Sequence, residues 1–134
     1  MKLTADEMRL INFFEAKTKT KVVDCLIEGD DITIIVDKGY IGFAIGKNGS
    51  IINKIKKEIG KEIHVYEFDK TPEGFIKNLL YPLKVNKIEI NGSEAKVYID
   101  PKHKKRAIGK EGKKINQVKK IVGRHYKINK ITVM

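Results

Sequence analysis

The chain contains the same unit twice. Ile45-Gly46-Lys47-Asn48-Gly49 and Ile108-Gly109-Lys110-Glu111-Gly112 are one short loop, each copy preceded by Ala and followed by an amphipathic stretch. Laid over one another without gaps, the loops set an offset of 63 residues. Asp37 then pairs with Asp100, Ala44 with Ala107, Ile52 with Ile115, Asn53 with Asn116, Lys56 with Lys119, Lys57 with Lys120 and Gly60 with Gly123. Apolar positions correspond too: Ile34 with Val97, Val36 with Ile99, Ile55 with Val118, Ile59 with Val122, Val65 with Ile128. Register held through strand, loop and helix indicates two copies of one supersecondary unit.

Each copy reads as α-β-β-α-α-β. Thr4 and Glu7 have the spacing of a capping box, and Met8, Ile11 and Phe14 follow at helical spacing. Val23, Cys25 and Ile27 alternate as a strand, Gly29-Asp30-Asp31 turns the chain, and Ile32, Ile34 and Val36 alternate as the next. A short helix over 39–45 meets the first loop. The next helix carries Ile52, Ile55 and Ile59 on one face, keeps Lys54, Lys56 and Lys57 off it, and stops at Gly60. Ile63, Val65 and Glu67 belong to a third strand.

The second copy opens at Thr71-Pro72, an N-cap followed by a first-turn proline. Phe75, Leu79 and Leu80 form its apolar stripe, and Pro82 ends it. Val85 to Ile90 is a strand, Asn91-Gly92 a hairpin turn, and Ala95, Val97 and Ile99 the returning strand. Pro101 opens a short Lys-rich helix. Ile115, Val118 and Val122 carry the helix after the loop, and 128–133 closes the unit as a strand. The expected fold class is α+β, with two tandem domains over 1–69 and 70–134. Each would be a three-stranded sheet with helices on one face.

Charge narrows the partners. Lys and Arg number 28 against 17 Asp and Glu, a net charge of +11. That balance favours a polyanion, nucleic acid ahead of an anionic membrane surface. No apolar run approaches the roughly 18 residues of a membrane span. The acidic, patterned start Met1-Lys2-Leu3-Thr4-Ala5-Asp6-Glu7 does not read as a targeting segment. A single cysteine, Cys25, makes no intramolecular disulfide and fits a reducing, cytoplasmic setting. Abundant Lys, Ile and Glu with one Gln, Gln117, fits a thermophile or an AT-rich genome equally.

Glycines at both ends of each loop let a ligand approach the backbone. The first N–H groups of the following helix carry partial positive charge, so phosphate is the natural guest, with Lys47 or Lys110 as a mobile cation beside it. Nucleotide hydrolysis fails the motif test. A P-loop needs G-x-x-x-x-G-K-[ST]. Here Ile41 and Lys104 stand five residues before Gly46 and Gly109, and no Ser or Thr follows either lysine.

An α-β-β-α-α-β unit with I-G-K-x-G between its central helices resembles the type II K-homology (KH) domain. Two of them in 134 residues, the first starting T-A-D-E-M, resemble the short archaeal NusA-like transcription factors. The resemblance implies that each G-x-x-G loop clamps the backbone of about four unpaired nucleotides while their bases lie in an apolar groove. Carried onto this chain, Gly46, Lys47, Asn48 and Gly49 hold one segment and Gly109, Lys110, Glu111 and Gly112 the next. Ile45 and Ile108 line the groove, with Ile52 and Ile115 assigned first to the core. Lys54, Lys104, Lys105, Arg106 and Lys113 complete the expected RNA-binding set, and Lys102 and Lys114 add to the charge around the second loop. Glu111 departs from the neutral or basic residue expected there, so the Asn48 loop is expected to be the cleaner clamp.

The expected partners are single-stranded RNA of a nascent transcript and RNA polymerase or ribosomal components. The chain is expected to be monomeric, without cofactor or metal, and not an enzyme. A role in ribosome assembly or ribosomal-RNA handling is the alternative. A phosphate-handling enzyme and a single-stranded DNA binder are further competitors. His64, His103 and His125 share no ligand spacing, and Cys25 reads as a buried thiol. Asp37 and Asp100 read as turn or cap residues. Tyr40 and Phe43 lie close enough to the first loop to stack on a base, although Phe43 is assigned to the core.

Overall fold

The computed structural model describes residues 3–134. Met1 and Lys2, which open the patterned start, lie outside the described residues. The chain packs as two compact units that divide between Asp69 and Lys70.

The first unit begins with α1 (Ala5–Thr18), whose start is tied twice. Glu7 N–H donates to Thr4 Oγ1 at 3.1 Å, and Thr4 N–H donates to Glu7 Oε1 at 3.0 Å. Two N–H groups that the first turn leaves without helical partners are thereby satisfied. Strands β1 (Val22–Glu28) and β2 (Asp31–Val36) form an antiparallel hairpin. Helices α2 (Ile41–Ile45) and α3 (Ser50–Ile59) then lead to β3 (Glu62–Glu67), which runs parallel to β2. The sheet order is β1-β2-β3.

The second unit repeats this order with α4 (Pro72–Leu80), β4 (Val85–Asn91), β5 (Glu94–Ile99), α5 (Lys104–Ile108), α6 (Lys113–His125) and β6 (Lys130–Val133). Its sheet order is β4-β5-β6, again with one antiparallel and one parallel pair. Thr71 caps α4 by accepting from Gly74 N–H, and Asp100 caps the turn Pro101–His103 by accepting from Lys102 N–H. The last strand begins at Lys130 rather than at 128.

The core of the first unit gathers Phe14, Cys25, Ile32, Ile34, Val36, Ala44, Ile52, Ile55 and Ile63. Each fully buried Ile or Phe contributes about 1.5–3 kcal/mol relative to exposure. Met8 does not join that stripe and is 55% exposed. The expected alternation in β1 and β2 gives way to burial on both faces. Cys25 pairs with Ile34 on the core face, while Asp24 pairs with Ile35 and Leu26 with Thr33 on the other, and all six are buried. A β-bulge between Val22 and Asp24 accompanies this. In the second sheet the alternation holds: Ala95, Val97 and Ile99 are buried, with Lys96 and Tyr98 partly exposed between them. On that polar face Lys87 and Glu89 form a 3.0 Å ion pair, whose hydrogen bond raises the lysine pKa and lowers that of the carboxyl.

Both hairpins turn on two residues with Gly first. Glu28 pairs with Asp31 across Gly29-Asp30, and Asn91 with Glu94 across Gly92-Ser93. In each turn only the Gly has positive φ, the type II′ requirement. Asn91 is thus the last paired strand residue, and the turn sits one position later than the Asn-Gly signal places it. Gly60 ends α3 in the left-handed conformation, whereas its counterpart Gly123 lies inside α6. A Cβ on Gly123 would stand 3.3 Å from the Ile128 carbonyl oxygen, a tight contact where the chain passes close to the helix.

Candidate nucleic-acid interface

The two loops share one conformation. Gly46 has φ 76° and ψ 173°, and Gly109 has φ 78° and ψ 170°, a region that essentially only glycine enters. A Cβ on Gly46 would lie 2.7 Å from Ile51 Cγ1, and one on Gly109 would lie 2.7 Å from the Lys114 backbone nitrogen. Asn48 and Glu111 are both left-handed, at φ 54° and 55°. Gly49 and Gly112, also at positive φ, cap the helices that follow. At these three positions the torsions of the two copies agree to within 3°.

This geometry leaves an accessible, uncapped helix start behind an exposed cationic loop. Lys47, Asn48, Lys110 and Glu111 are exposed. No side chain caps the first turn of α3 or of α6, because the cap residue is glycine in both. Short bonds hold the loop itself: Gly49 N–H donates to the Gly46 carbonyl and Gly112 N–H to that of Gly109, both at 3.1 Å. A phosphate lying on such a loop meets outward N–H groups and a lysine.

The apolar residues around the loops divide as follows. Ala44 and Ala107 are fully buried beneath them. Ile45 and Ile108 are half-buried, and Ile45 packs against the core of the first unit. Ile52 belongs to the core, whereas Ile115 is only half-buried. Phe43 overturns its core assignment: the residue is 60% exposed, and its ring has the Tyr40 ring 6.4 Å away at 50°. It sits on the solvent side of a five-residue helix whose inward position is taken by Ala44.

The cations are placed unevenly. Lys54 stands on α3 beside a cleft lined by Lys17, Ser50, Ile51, Ile55 and Glu58. Lys104, Lys105 and Arg106 are exposed on α5, and Lys113 opens α6. A shallow depression recurs in both units. Asn53, Lys56, Lys57 and Gly60 line it in the first, Asn116, Lys119, Lys120 and Gly123 in the second. In the first unit acids share it, and Lys56 is held by Glu62 at 3.0 Å; in the second no acid lines it.

That contrast extends to each whole half. Residues 1–69 carry 11 Lys and Arg against 12 Asp and Glu, and residues 70–134 carry 17 against 5. The chain's entire positive surplus therefore belongs to the second half. The whole-chain sum hides this, and a count taken half by half reveals it.

Among the described residues no three His, Cys, Asp or Glu side chains stand together as metal ligands. No helix of the described residues is long and apolar enough to cross a membrane. Cys25 is buried within the core.

The KH domain family model matches residues 9–69, and the NusA-like second KH domain model matches residues 72–134. The probable transcription termination protein NusA of Methanocaldococcus jannaschii is 30% identical over 138 residues, covering all of this chain and 75% of the relative. The protein of the same name from Halobacterium salinarum is 31% identical, covering 98% of this chain and 96% of the relative. The crystal structure of APE1850 superposes with a TM-score of 0.82 at 27% identity, over 98% of this chain and 100% of that one. With loops of one conformation in two matching units, the chain belongs to the archaeal NusA-like family of tandem KH-domain proteins.

Proposed function

We infer that the chain binds single-stranded RNA and acts on nascent transcripts in elongation or termination. The observation that carries this is the pair of loops with one glycine-dependent conformation, each opening an uncapped helix. In this reading Gly46–Gly49 and Gly109–Gly112 hold backbone phosphates, Lys47 and Lys110 neutralise them, and Ile45 and Ile108 face the bases. Lys54, Lys104, Lys105, Arg106 and Lys113 extend the electrostatic footprint. The protein works as a binding module rather than an enzyme, in the cytoplasm, on RNA emerging from RNA polymerase. The names borne by its relatives support transcription over ribosomal-RNA handling.

The test is a titration of a labelled 12-nucleotide RNA across a salt series, beside the same sequence as DNA and as duplex RNA. Binding to the single-stranded RNA should fall linearly on a logarithmic salt axis with a slope of roughly −3 to −5, at about 0.7 per phosphate contact. A flat salt dependence, or a preference for the duplex, would remove this reading.

A further inference from the structure

The position three residues before each loop is exposed and planar in both copies. In the first it is Phe43, 60% exposed, beside Tyr40. At the 63-residue offset Phe43 corresponds to Arg106 and Tyr40 to His103. Arg106 is exposed as well. A phenyl ring and a guanidinium plane are two of the groups that stack on unpaired bases. A Phe ring left mostly in water forfeits the stabilisation its burial would give, while its α2 neighbours Ile41, Ala44 and Ile45 are the ones that pack on the core. Phe43 stands on the helix that leads directly into the loop, three residues before Gly46.

The charge distribution says what such a ring is for. The first half has no surplus of positive charge beyond the lysines near its loop, so long-range Coulomb attraction adds less to its hold on a polyanion than in the second half. Stacking is a hold that needs no charge and survives salt.

We propose that Phe43, flanked by Tyr40, is a stacking ledge for a nucleobase of the strand clamped by the first loop. Arg106 takes the same place in the second copy with charge added. The first domain then discriminates by base, and the second anchors by phosphate. This rests on the RNA-binding reading above, and its test separates the two.

Full-length Phe43→Ala, Phe43→Leu, Phe43→Trp and Arg106→Ala proteins are titrated with 12-nucleotide RNAs carrying 2-aminopurine at successive positions, across a salt series. Phe43→Ala and Phe43→Leu should each weaken binding about tenfold, relieve 2-aminopurine quenching at one position, and leave the salt slope unchanged. Phe43→Trp should bind at least as tightly as the parent. Arg106→Ala should lower the slope as well as the affinity. Parental affinity and quenching in Phe43→Ala would overturn the ledge while leaving the clamp standing. Parental binding by Phe43→Leu but not by Phe43→Ala would also overturn it, because bulk rather than a flat face would then be what matters. Failure of the unmodified protein to bind any single-stranded RNA would overturn both readings.

Discussion

Gly109 and Lys114 approach so closely that a Cβ on the glycine would lie 2.7 Å from the lysine's backbone nitrogen. In the first copy the corresponding 2.7 Å contact is to Ile51 Cγ1, a side-chain atom. Rotation of Ile51 relieves the 2.7 Å contact and leaves its Cβ at 3.0 Å, whereas the Lys114 nitrogen, fixed in the helix backbone, cannot move aside. Both glycines also occupy a conformation that costs other residues about 1–3 kcal/mol. Gly46→Ala should therefore destabilise its domain by about 2 kcal/mol, and Gly109→Ala by about 3 kcal/mol or more. Urea unfolding of the two variants side by side checks the order.

Glu111 carries two burdens. Its backbone sits at φ 55°, where a residue with a Cβ pays about 1–2 kcal/mol, and its carboxylate stands in a loop suited to an anion. Asn48 holds the same torsions with a residue type that tolerates them. Glu111→Gly relieves about 1–2 kcal/mol of left-handed strain against an unfolded-state entropy cost of about 0.4–1 kcal/mol, so it should stabilise the second domain by up to about 1 kcal/mol and tighten RNA binding severalfold. Asn48→Glu should do the opposite in the first. Thermal unfolding and RNA titration on the same samples read both effects.

Much of this was legible in the sequence, and for identifiable reasons. The repeat fixed the order of elements because period-2 and helical patterns recur at the same offset. The capping box at Thr4 and Glu7, the stop at Gly60 and the loop glycines are local signals that the structure obeys. Other features depend on what packs nearby. Burial of Asp24, Thr33 and Ile35 on the second face of the first sheet has no signature in a pattern read for alternation. Phe43 looked like core by residue type, but in a five-residue helix with Ala44 inward the ring is left outside. Gly123 copies Gly60 in sequence and not in role, because α6 runs on to His125.

Glu7 links helix and sheet. Beyond its capping bond, its Oε2 accepts the Ile27 N–H at 2.9 Å, from twenty residues along the chain, and the side chain is buried. Removing it leaves two backbone donors, at Thr4 and Ile27, without that carboxylate. Glu7→Ala should destabilise the first domain by about 2–3 kcal/mol, visible as a lower urea midpoint.

The uneven charge makes salt dependence a property of the second half. Lys104→Ala, Lys105→Ala and Arg106→Ala together should shrink the magnitude of the salt slope by about 2, at roughly 0.7 per lost phosphate contact. Lys54→Ala, Lys56→Ala and Lys57→Ala together should change it by less than about 1, since Lys56 is already held by Glu62. Fluorescence anisotropy over a salt series distinguishes the two triple variants.

The central claim is that both loops grip RNA. Asp substitution at the exposed tip residues tests it without disturbing the glycines on which the loop conformation depends, because Asp tolerates the left-handed backbone. The decisive measurement is the single-stranded RNA affinity of the variant with Lys47→Asp, Asn48→Asp, Lys110→Asp and Glu111→Asp. Its affinity should fall at least about 100-fold, as a carboxylate that repels phosphate replaces the one lysine of each loop, with the unfolding midpoint held close to that of the parent. Parental affinity in a folded variant would contradict the account.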